Sequence, residues 1–452
     1  MKYTISLLLA ALLLSCSSSN EKIYQWRGED RGGIYPDTGL LKEWPEEGPE
    51  EIWMVDSLGR GYGSPVFVDD RFFITGEVDS LAILYCFNLQ GDKIWQTTLG
   101  KEWVTSFPGS RSAPTIVDNL IYIGSGMGDL YCLNKVDGAK VWHKEFSSDF
   151  EGIYPLHGHS EAAVVMEDRV FWTPGGEANN VVALNRFTGE LIWSHPGFGE
   201  YSAYNPAQMI ELPHRYIYVT FSAYHLMGFD GETGEMLWSQ EQDNYPPEER
   251  KPGYGDTHAN AVLYDAGAIY YAAGDGLCGV RLDLSDDGTE ISEAWRNKGF
   301  DSFMGGIVKI NNHLYGSATS TKNFRSIDAT TGILTDSLKI GHGAVIAADE
   351  MLYYYNQRGE VKLIEYDAGK LKEVSSFKIT TGTGQHFSHP VIYGGVLYQR
   401  RGQSLMAYDI RFSISARESF PNSGCAPGAV FANCCKLLSP FDPEELSHMG
   451  RL

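Results

Sequence analysis

The stretch VVALNRFTGELIW at residues 181–193 recurs with variation as LYCLNKVDGAKVW at 130–142 and as HLMGFDGETGEMLW at 225–238. Each copy has the pattern of a strand, a tight turn at Asp-Gly or Thr-Gly, and a second strand that ends in tryptophan. Aligning the chain on this tryptophan gives a series whose neighbours lie 42 to 57 residues apart: Trp53, Trp95, Trp142, Trp193, Trp238 and Trp295. A strand-rich repeat of about 40–45 residues is typical of the blades of a β-propeller.

Each repeat begins with two alternating runs joined by a short turn, as in SAPTIVDNLIYIGSG at 112–126, and this predicts four short antiparallel strands per unit. A sheet of this kind buries its faces against neighbouring sheets, where a tryptophan is large enough to fill the space between two of them. Two later units lack the tryptophan and end in Leu338 and Phe377. Counting first strands gives eight blades, which begin near Gly63, Ser112, His159, Asn205, His258, Met304, His342 and His389.

The last unit, 389–410, has only three strands, whereas EIWMVDS at 51–57 is a closing strand with no blade of its own. We therefore predict an all-β fold, an eight-bladed β-propeller of four-stranded antiparallel blades over residues 51–410. The N-terminal strand is predicted to close the last blade, because closure of this kind removes both exposed edges of the ring. Residues 411–452 lose the strand pattern and are predicted to form an irregular C-terminal tail.

The N-terminal residues have the pattern of an export signal. Lys2 precedes an apolar run from Ile5 to Leu14, which is too short to cross a bilayer and is typical of a signal peptide. The run ends in Leu13-Leu14-Ser15-Cys16, which resembles the bacterial lipobox. Residues 1–15 are therefore predicted to be a lipoprotein signal peptide, and Cys16 is predicted to carry the lipid that anchors the protein.

Residues 16–50 are predicted to be a lipid-anchored tether followed by an irregular segment. We expect this segment to lie along one side of the propeller, with Trp26 and Trp44 as its anchors. The formal net charge of −22 repels an extended phosphate backbone and so excludes nucleic acid as a partner.

The repeat ALNRFTGELIW (183–193) resembles the tryptophan-docking repeat of the PQQ-like propellers, a group that includes quinoprotein alcohol dehydrogenases and the BamB-type assembly lipoproteins of the outer membrane. Four further segments resemble exported bacterial proteins with PQQ-binding-like propeller repeats: 24–53, HSEAAVVMEDRVFWTPGG at 159–176, FMGGIVKINNHLYG at 303–316 and HFSHPVIYGGVLYQRRGQSLMAYDI at 386–410. The resemblance covers residues 24–410. It implies the propeller fold and a place in the bacterial cell envelope.

The same resemblance raises the question of a quinone cofactor. The dehydrogenases of this group hold PQQ beside a calcium ion and use an aspartate base and a pair of adjacent cysteines. The only adjacent pair here is Cys434-Cys435, which follows the last blade. We therefore commit to no cofactor, and PQQ with calcium stays an alternative. DLSDDGTE at 283–290 begins like a calcium loop but lacks the final carboxylate, so we interpret it as a hairpin turn and predict no metal site.

The first strand of each blade lines the central channel, and half of the 12 histidines lie at or just before such strands. Imidazoles that converge at one mouth of the channel can bind a ligand or transfer a proton near neutral pH. The alternative is that they hydrogen-bond the backbone of neighbouring blades. We assign no catalytic residue, and we take five residues as the candidate cofactor-binding site: His159, His258, His342, His389 and Arg401.

Two classes of function follow. The first is a non-enzymatic envelope lipoprotein, monomeric and attached to the membrane only through its lipid, whose propeller is a scaffold for envelope proteins or glycans. The second is a PQQ- or metal-dependent oxidoreductase with a site at the channel mouth.

Overall fold

The computed structural model describes residues 22–204, 207–242, 248, 258–273 and 278–412. Within these residues the strands form eight sheets arranged as the blades of a propeller, which confirms the predicted fold class and number of blades. The one described helix is a single turn, α1 (Phe146–Asp149), and no described helix has the length and apolar character needed to cross a bilayer.

Three strands precede the first blade: β1 (Ile23–Tyr24), β2 (Ile34–Tyr35) and β3 (Glu50–Val55). Blade 1 contains β4 (Val66–Val68), β5 (Arg71–Val78), β6 (Leu81–Asn88) and β7 (Lys93–Lys101). Blade 2 contains β8 (Thr115–Val117), β9 (Leu120–Gly124), β10 (Leu130–Asn134) and β11 (Lys140–Lys144). Blade 3 contains β12 (Val164–Met166), β13 (Arg169–Trp172), β14 (Val181–Asn185) and β15 (Leu191–His195). Blade 4 contains β16 (Gln208–Leu212), β17 (Arg215–Phe221), β18 (His225–Asp230) and β19 (Met236–Glu241).

Blade 5 contains β20 (Leu263–Asp265), β21 (Ala268–Ala272), β22 (Gly279–Leu284) and β23 (Ile291–Asn297). Blade 6 contains β24 (Ile307–Ile310), β25 (His313–Ala318), β26 (Asn323–Asp328) and β27 (Leu334–Leu338). Blade 7 contains β28 (Gly343–Ala348), β29 (Met351–Asn356), β30 (Glu360–Asp367) and β31 (Lys370–Lys378). Blade 8 contains β32 (Val391–Tyr393), β33 (Val396–Arg401) and β34 (Ser404–Asp409) together with β3.

Strand β3 closes the ring. It pairs antiparallel with β34, and Trp53 lies opposite Ala407 and Val55 opposite Leu405. The sheet order β3-β34-β33-β32 makes it the outermost strand of blade 8, as the unpaired closing strand in the sequence predicts. Blade 8 therefore has four strands like the other blades, and β34 is not left as an open edge.

The loops that join one blade to the next lie on one face of the propeller, which we call the funnel face. The turns that join first to second strands and third to fourth strands lie on the opposite face, which we call the turn face. Each innermost strand runs from the funnel face to the turn face, because the strands within a blade alternate in direction.

The repeat tryptophans dock each blade onto the next. Trp142 donates its indole N–H to the carbonyl of Arg186 at 2.9 Å, and Trp193 donates to that of Gly231 at 3.0 Å. The glycines of the turns that these rings pack against are required for two reasons. Gly189 has φ +74°, and a Cβ at this position would lie 2.9 Å from the Trp142 ring, so a side chain is excluded both by the backbone and by the docked ring. Equivalent indole donations from Trp53, Trp238 and Trp295 join blades 8 and 1, 4 and 5, and 5 and 6, while Trp95 packs against Gly138 of blade 2 without one.

Blade 7 takes its tryptophan from outside the repeat. Ser375 pairs with Leu363 beside a bulge, at the register position that tryptophan has in blade 3. Trp44 covers this position: its backbone N–H donates to the Ser375 hydroxyl at 2.8 Å and its ring lies edge-on to Phe377. The side chain of Trp44 is 4% exposed.

Candidate functional site

Residues 22–35, which we call the axial loop, run inside the central channel. Strand β1 pairs antiparallel with β8, the innermost strand of blade 2, and β2 pairs parallel with β28, the innermost strand of blade 7. The chain therefore enters from the turn face, turns back near the funnel face and leaves through the turn face again. The expectation that the N-terminal segment lies along one side of the propeller is wrong for these residues.

Arg27 holds the axial loop to blades 6, 7 and 8. Its guanidinium donates to the carbonyls of Ile307 at 2.7 Å and Val345 at 2.9 Å, and it lies 3.0 Å from Nδ1 of His389. The side chain is 2% exposed, and burial lowers its pKa to about 10. The group therefore stays charged at neutral pH, and main-chain carbonyl oxygens supply most of its compensation.

Arg31 holds the axial loop to blades 3 and 4. Its guanidinium donates to the carbonyls of Ala163 at 2.7 Å and Ala207 at 2.6 Å. Burial lowers its pKa to about 10, while the nearby carboxyl of Glu161 acts in the opposite direction. The two arginines thus join five blades through the axis.

Above the axial loop, the funnel face opens into a cavity of about 400 Å³. Its floor includes the indole of Trp26, which meets the imidazole of His389 edge-on with ring centroids 4.9 Å apart. The lining is largely aromatic and comes from the approaches to the innermost strands of seven blades. The other described lining residues are Tyr62, Gly63, Phe107, Arg111, Ala113, His157, Ser160, Ala162, Tyr204, Ala259, Phe303, Met304 and Phe387.

The polar groups of the cavity are mostly engaged with the protein. Arg111 donates to the carbonyls of Phe107, at 2.7 Å, and of His157. Nδ1 of His157 lies 2.9 Å from the Ser106 hydroxyl, and its backbone N–H donates to the Tyr204 hydroxyl. Burial and, secondarily, the charge of Arg111 lower the pKa of His157. The cavity therefore offers ring faces and a positive charge rather than an array of free hydrogen-bonding groups.

Of the five residues taken from the sequence as a cofactor site, only His389 lines this cavity. Its Nε2 donates to the carbonyl of Met304 at 2.8 Å, so its Nδ1 is the acceptor for Arg27. Burial, followed by the charge of Arg27, lowers the pKa of His389 to about 3. The imidazole is thus a neutral link between the axial loop and the wall of the cavity.

The structure does not bring the other four together with His389. His159 is buried, with Nε2 3.2 Å from the Thr173 carbonyl, and His258 is buried with its ring stacked on Phe221 at 4.1 Å. His342 lines a smaller neighbouring pocket. Arg401 donates to backbone carbonyls of residues 380, 381 and 384. The Thr173 carbonyl belongs to the same blade as His159, and neither ring nitrogen of His258 has a hydrogen-bond partner among the described residues. Burial lowers the pKa of His159 to about 4 and that of His258 to about 3, so both imidazoles are neutral near pH 7.

Glu161 is the carboxyl group closest in sequence to the candidate histidines. It is buried and accepts hydrogen bonds from the Tyr218 hydroxyl at 2.7 Å and the Thr173 backbone N–H at 2.9 Å. Burial raises its pKa to about 7. Since both of its oxygens face the interior of blades 3 and 4, Glu161 supports Arg31 and does not reach the cavity.

These residues do not fit a calcium-bound quinone. No acidic side chain is among the described residues that line the cavity, and no group of three or more His, Cys, Asp or Glu side chains in the described part of the chain is placed to hold a metal ion. Of residues 283–290, the first two end β22 and residues 285–290 form the turn to β23, with the Ser285 hydroxyl donating to Asp287. Asn205, Cys16, Cys434 and Cys435 lie outside the described residues.

The loops around the cavity carry exposed apolar side chains on three consecutive connections, between blades 1 and 2, 2 and 3, and 3 and 4. We call this set the rim. Phe107 is 44% exposed and its ring lies edge-on to His157, while Leu156 is 49% exposed. The other members of the rim are Val104, Ile153 and Phe198.

Sequence reasoning did not find the axial loop or the rim. The available signal was RGEDRGG at 27–33, in which two Arg-Gly pairs lie four residues apart. Positive φ angles occur in this segment at Arg27, Gly28, Arg31 and Gly33. The glycines therefore indicate a tight turn, but the sequence does not indicate which carbonyls the arginines bind.

Comparison with known proteins agrees with the fold. The solved structure of BamB from Moraxella catarrhalis superposes with a TM-score of 0.57 and 13% identity, covering 80% of this chain and 98% of that one. A europium-containing methanol dehydrogenase gives a TM-score of 0.58 at 12% identity, covering 84% and 90%. At such identities the likeness shows the propeller architecture alone.

Sequence comparison identifies the family. The outer membrane protein assembly factor BamB of Yersinia pestis is 25% identical over 256 residues, which are 51% of this chain and 56% of that protein. The chain spans about half the length of the curated relatives it matches. The family model described as outer membrane protein assembly factor BamB matches residues 81–334, more than half of the 452 residues. The chain therefore belongs to this BamB family of PQQ-like propellers.

Proposed function

We propose that this chain is a non-enzymatic scaffold of the bacterial cell envelope that binds a protein partner through the rim on its funnel face. The family to which the chain belongs takes its description from an outer membrane protein assembly factor, and this supports a role among envelope proteins. The observation that carries the proposal is the rim itself.

Five exposed apolar side chains on three adjacent loops next to a cavity fit a surface that a partner covers. Aromatic and aliphatic residues next to a pocket are the groups that dominate the binding energy of protein interfaces. Loops held by a rigid scaffold are also where binding residues concentrate. The polar groups of the neighbouring cavity are engaged in hydrogen bonds with the protein, which favours binding over catalysis.

A genetic test separates this function from a purely structural one. The chromosomal copy is deleted in the source bacterium, and the amounts of folded outer membrane proteins are measured after complementation with the wild type or with Phe107→Ser/Leu156→Ser. The matched control is Phe187→Ser/Ile333→Ser, which alters apolar side chains of similar or greater exposure on outer turns.

We expect the rim variant to fail and the control to restore normal levels. Capture of envelope proteins on the purified wild type, lost with the rim variant and kept with the control, is the matching biochemical result. Equal behaviour of the two variants contradicts the assignment of the rim.

The proposed anchor is an acyl chain on Cys16. The Leu13-Leu14-Ser15-Cys16 sequence supports it, and intact mass of the protein extracted from membranes tests it. A mass that corresponds to an acylated N-terminal cysteine is expected. An unmodified or uncleaved N-terminus contradicts this part of the proposal.

A second candidate function is suggested by the aromatic lining of the cavity. Ring faces such as those of Trp26, Tyr62 and Phe303 suit a flat or ring-shaped ligand, and a glycan of the envelope is the candidate. Titration of the protein with soluble envelope oligosaccharides, monitored by tryptophan fluorescence, tests this idea. A saturable change that is abolished by Trp26→Phe and kept in Trp103→Phe supports it, and the absence of any change contradicts it.

A further inference from the structure

We infer that the axial loop fixes the orientation of the propeller on the membrane, with the turn face towards the bilayer and the funnel face away from it. The partner of the rim is then a protein domain that extends away from the bilayer into the aqueous compartment. This inference rests on the proposed acylation of Cys16.

The direction of the axial loop sets the point at which the tether leaves the propeller. Ile23 lies opposite Val117 and Tyr24 opposite Ile116, so the chain moves towards the funnel face as it passes from residue 22 to Trp26. Val117 is the last residue of β8 and is followed by the turn Asp118-Asn119. Lys22 therefore lies at the turn-face mouth of the channel.

The length of the tether restricts where the anchor can be. Six residues lead from Cys16 to Lys22, and a fully extended chain of this length spans about 22 Å at most. To reach the funnel face from outside, the tether would cross four strands, about 14 Å, and then follow a blade for about 20 Å more. An acyl chain on Cys16 is therefore confined to the side of the turn face.

The exit point is also fixed in position. Arg27 and Arg31 hold the axial loop to four blades with hydrogen bonds of 2.6–3.1 Å to buried carbonyls, and Arg27 contacts a fifth blade through the His389 imidazole. Pulling the loop out would expose two guanidinium groups and leave those carbonyls without donors, which makes sliding unfavourable. The tether therefore cannot become longer by drawing residues of the axial loop out of the channel.

The chemistry of the turn face agrees with a face that is held near lipid without inserting into it. The inner turns carry acidic side chains, which in part pair with neighbouring basic groups, as Lys309 does with Asp265 and Arg186 does with Asp118. Charged inner turns of this kind stay in water, while the outer turns of the same face carry exposed apolar side chains of their own, such as Phe187 and Ile333. The exposed apolar side chains of the rim lie on the opposite face. The rim is thus directed away from the anchor.

Energy transfer to the membrane tests the orientation. The full chain is produced as the acylated lipoprotein and placed in vesicles that contain an acceptor-labelled phospholipid. A donor dye is attached through p-azidophenylalanine at Asn119 on the turn face or at Thr105 on the funnel face, both of which are exposed. Because the two positions differ by about 20 Å in height, we expect roughly twofold more efficient transfer from Asn119.

Three outcomes separate the possibilities. Acylated protein with stronger transfer from Asn119 supports the inference, and acylated protein with equal or stronger transfer from Thr105 overturns it while leaving the anchor in place. Protein without an acyl mass overturns the proposed anchor and the orientation together. As a control, a Gly/Ser insertion of about twenty residues between Ser19 and Asn20 releases the geometric restriction and should make the two transfer efficiencies similar; persistence of the difference would show that the tether does not set it.

Discussion

Replacing Arg27 by methionine is the most direct test of how the axial loop supports the propeller. The guanidinium donates to the carbonyls of Ile307, Val345 and Gly32 and contacts Nδ1 of His389. Methionine fills a similar volume and keeps the apolar stem, so the change removes the hydrogen bonds with little loss of packing. Arg27→Met therefore isolates the contribution of the polar contacts at the axis.

The expected loss follows from the groups left behind. A buried carbonyl without a donor costs about 1–3 kcal/mol, and two of those at Arg27 belong to innermost strands of different blades. Removing the desolvation cost of a buried charge offsets part of this. We expect the free energy of unfolding to fall by about 3–5 kcal/mol, and by a smaller amount for Arg27→Lys, because an ammonium has three donors instead of five.

Urea unfolding at equilibrium, monitored by tryptophan fluorescence, measures the loss of stability. A less stable variant has a lower midpoint urea concentration with an unchanged m-value. The control is Arg411→Met, which removes an exposed arginine paired with Asp409 and is expected to change stability by less than about 0.5 kcal/mol. If Arg27→Met is as stable as this control, the axial arginine does not hold the blades and the argument for a fixed exit point fails with it.

Three more predictions concern the ring. Trp193→Ala should lower the free energy of unfolding by about 3–5 kcal/mol, because it empties the space between blades 3 and 4, and Trp103→Ala in a loop should cost clearly less in the same urea titration. Replacing residues 51–57 by a Gly/Ser linker of equal length should leave β34 as an open edge and produce oligomers, detectable by light scattering. His389 has a pKa of about 3 in the folded state instead of 6.5, so its contribution to stability should fall as pH drops below about 6.5, by up to about 3 kcal/mol near pH 4. Buried His159 and His258 add losses of the same sign. His389→Gln should therefore reduce the pH dependence by the share of one histidine, whereas exposed His214→Gln should leave it unchanged.

The sequence alone predicted the propeller because its determinants are local and repeated. The spacing of the tryptophans indicated the blades, and a closing strand without a blade at 51–57 indicated how the ring ends. The first strands begin a few residues later than expected, for example at Val164 rather than His159. The intervening residues approach the channel in extended form and supply its mouth.

The candidate site was only partly predictable, for a physical reason. The rule that first strands line the channel placed His389 at the mouth, yet it does not tell which neighbours cover a side chain. His258 is covered by the ring of Phe221 and His159 by that of Trp172. Most partners of Arg27 and Arg31 are main-chain carbonyls, which every residue has, so no side-chain pattern in the sequence reveals them.

Closure by β3 also sets an order of events during biosynthesis. The hydroxyl of Ser404 meets the carboxyl group of Asp56 across 348 positions of sequence, so β3, made early, cannot pair until nearly the whole chain has been synthesised. Contacts of such separation slow folding. A chain that cannot close until its end has been made stays open during its synthesis, and the axial loop must already lie between the blades when they meet.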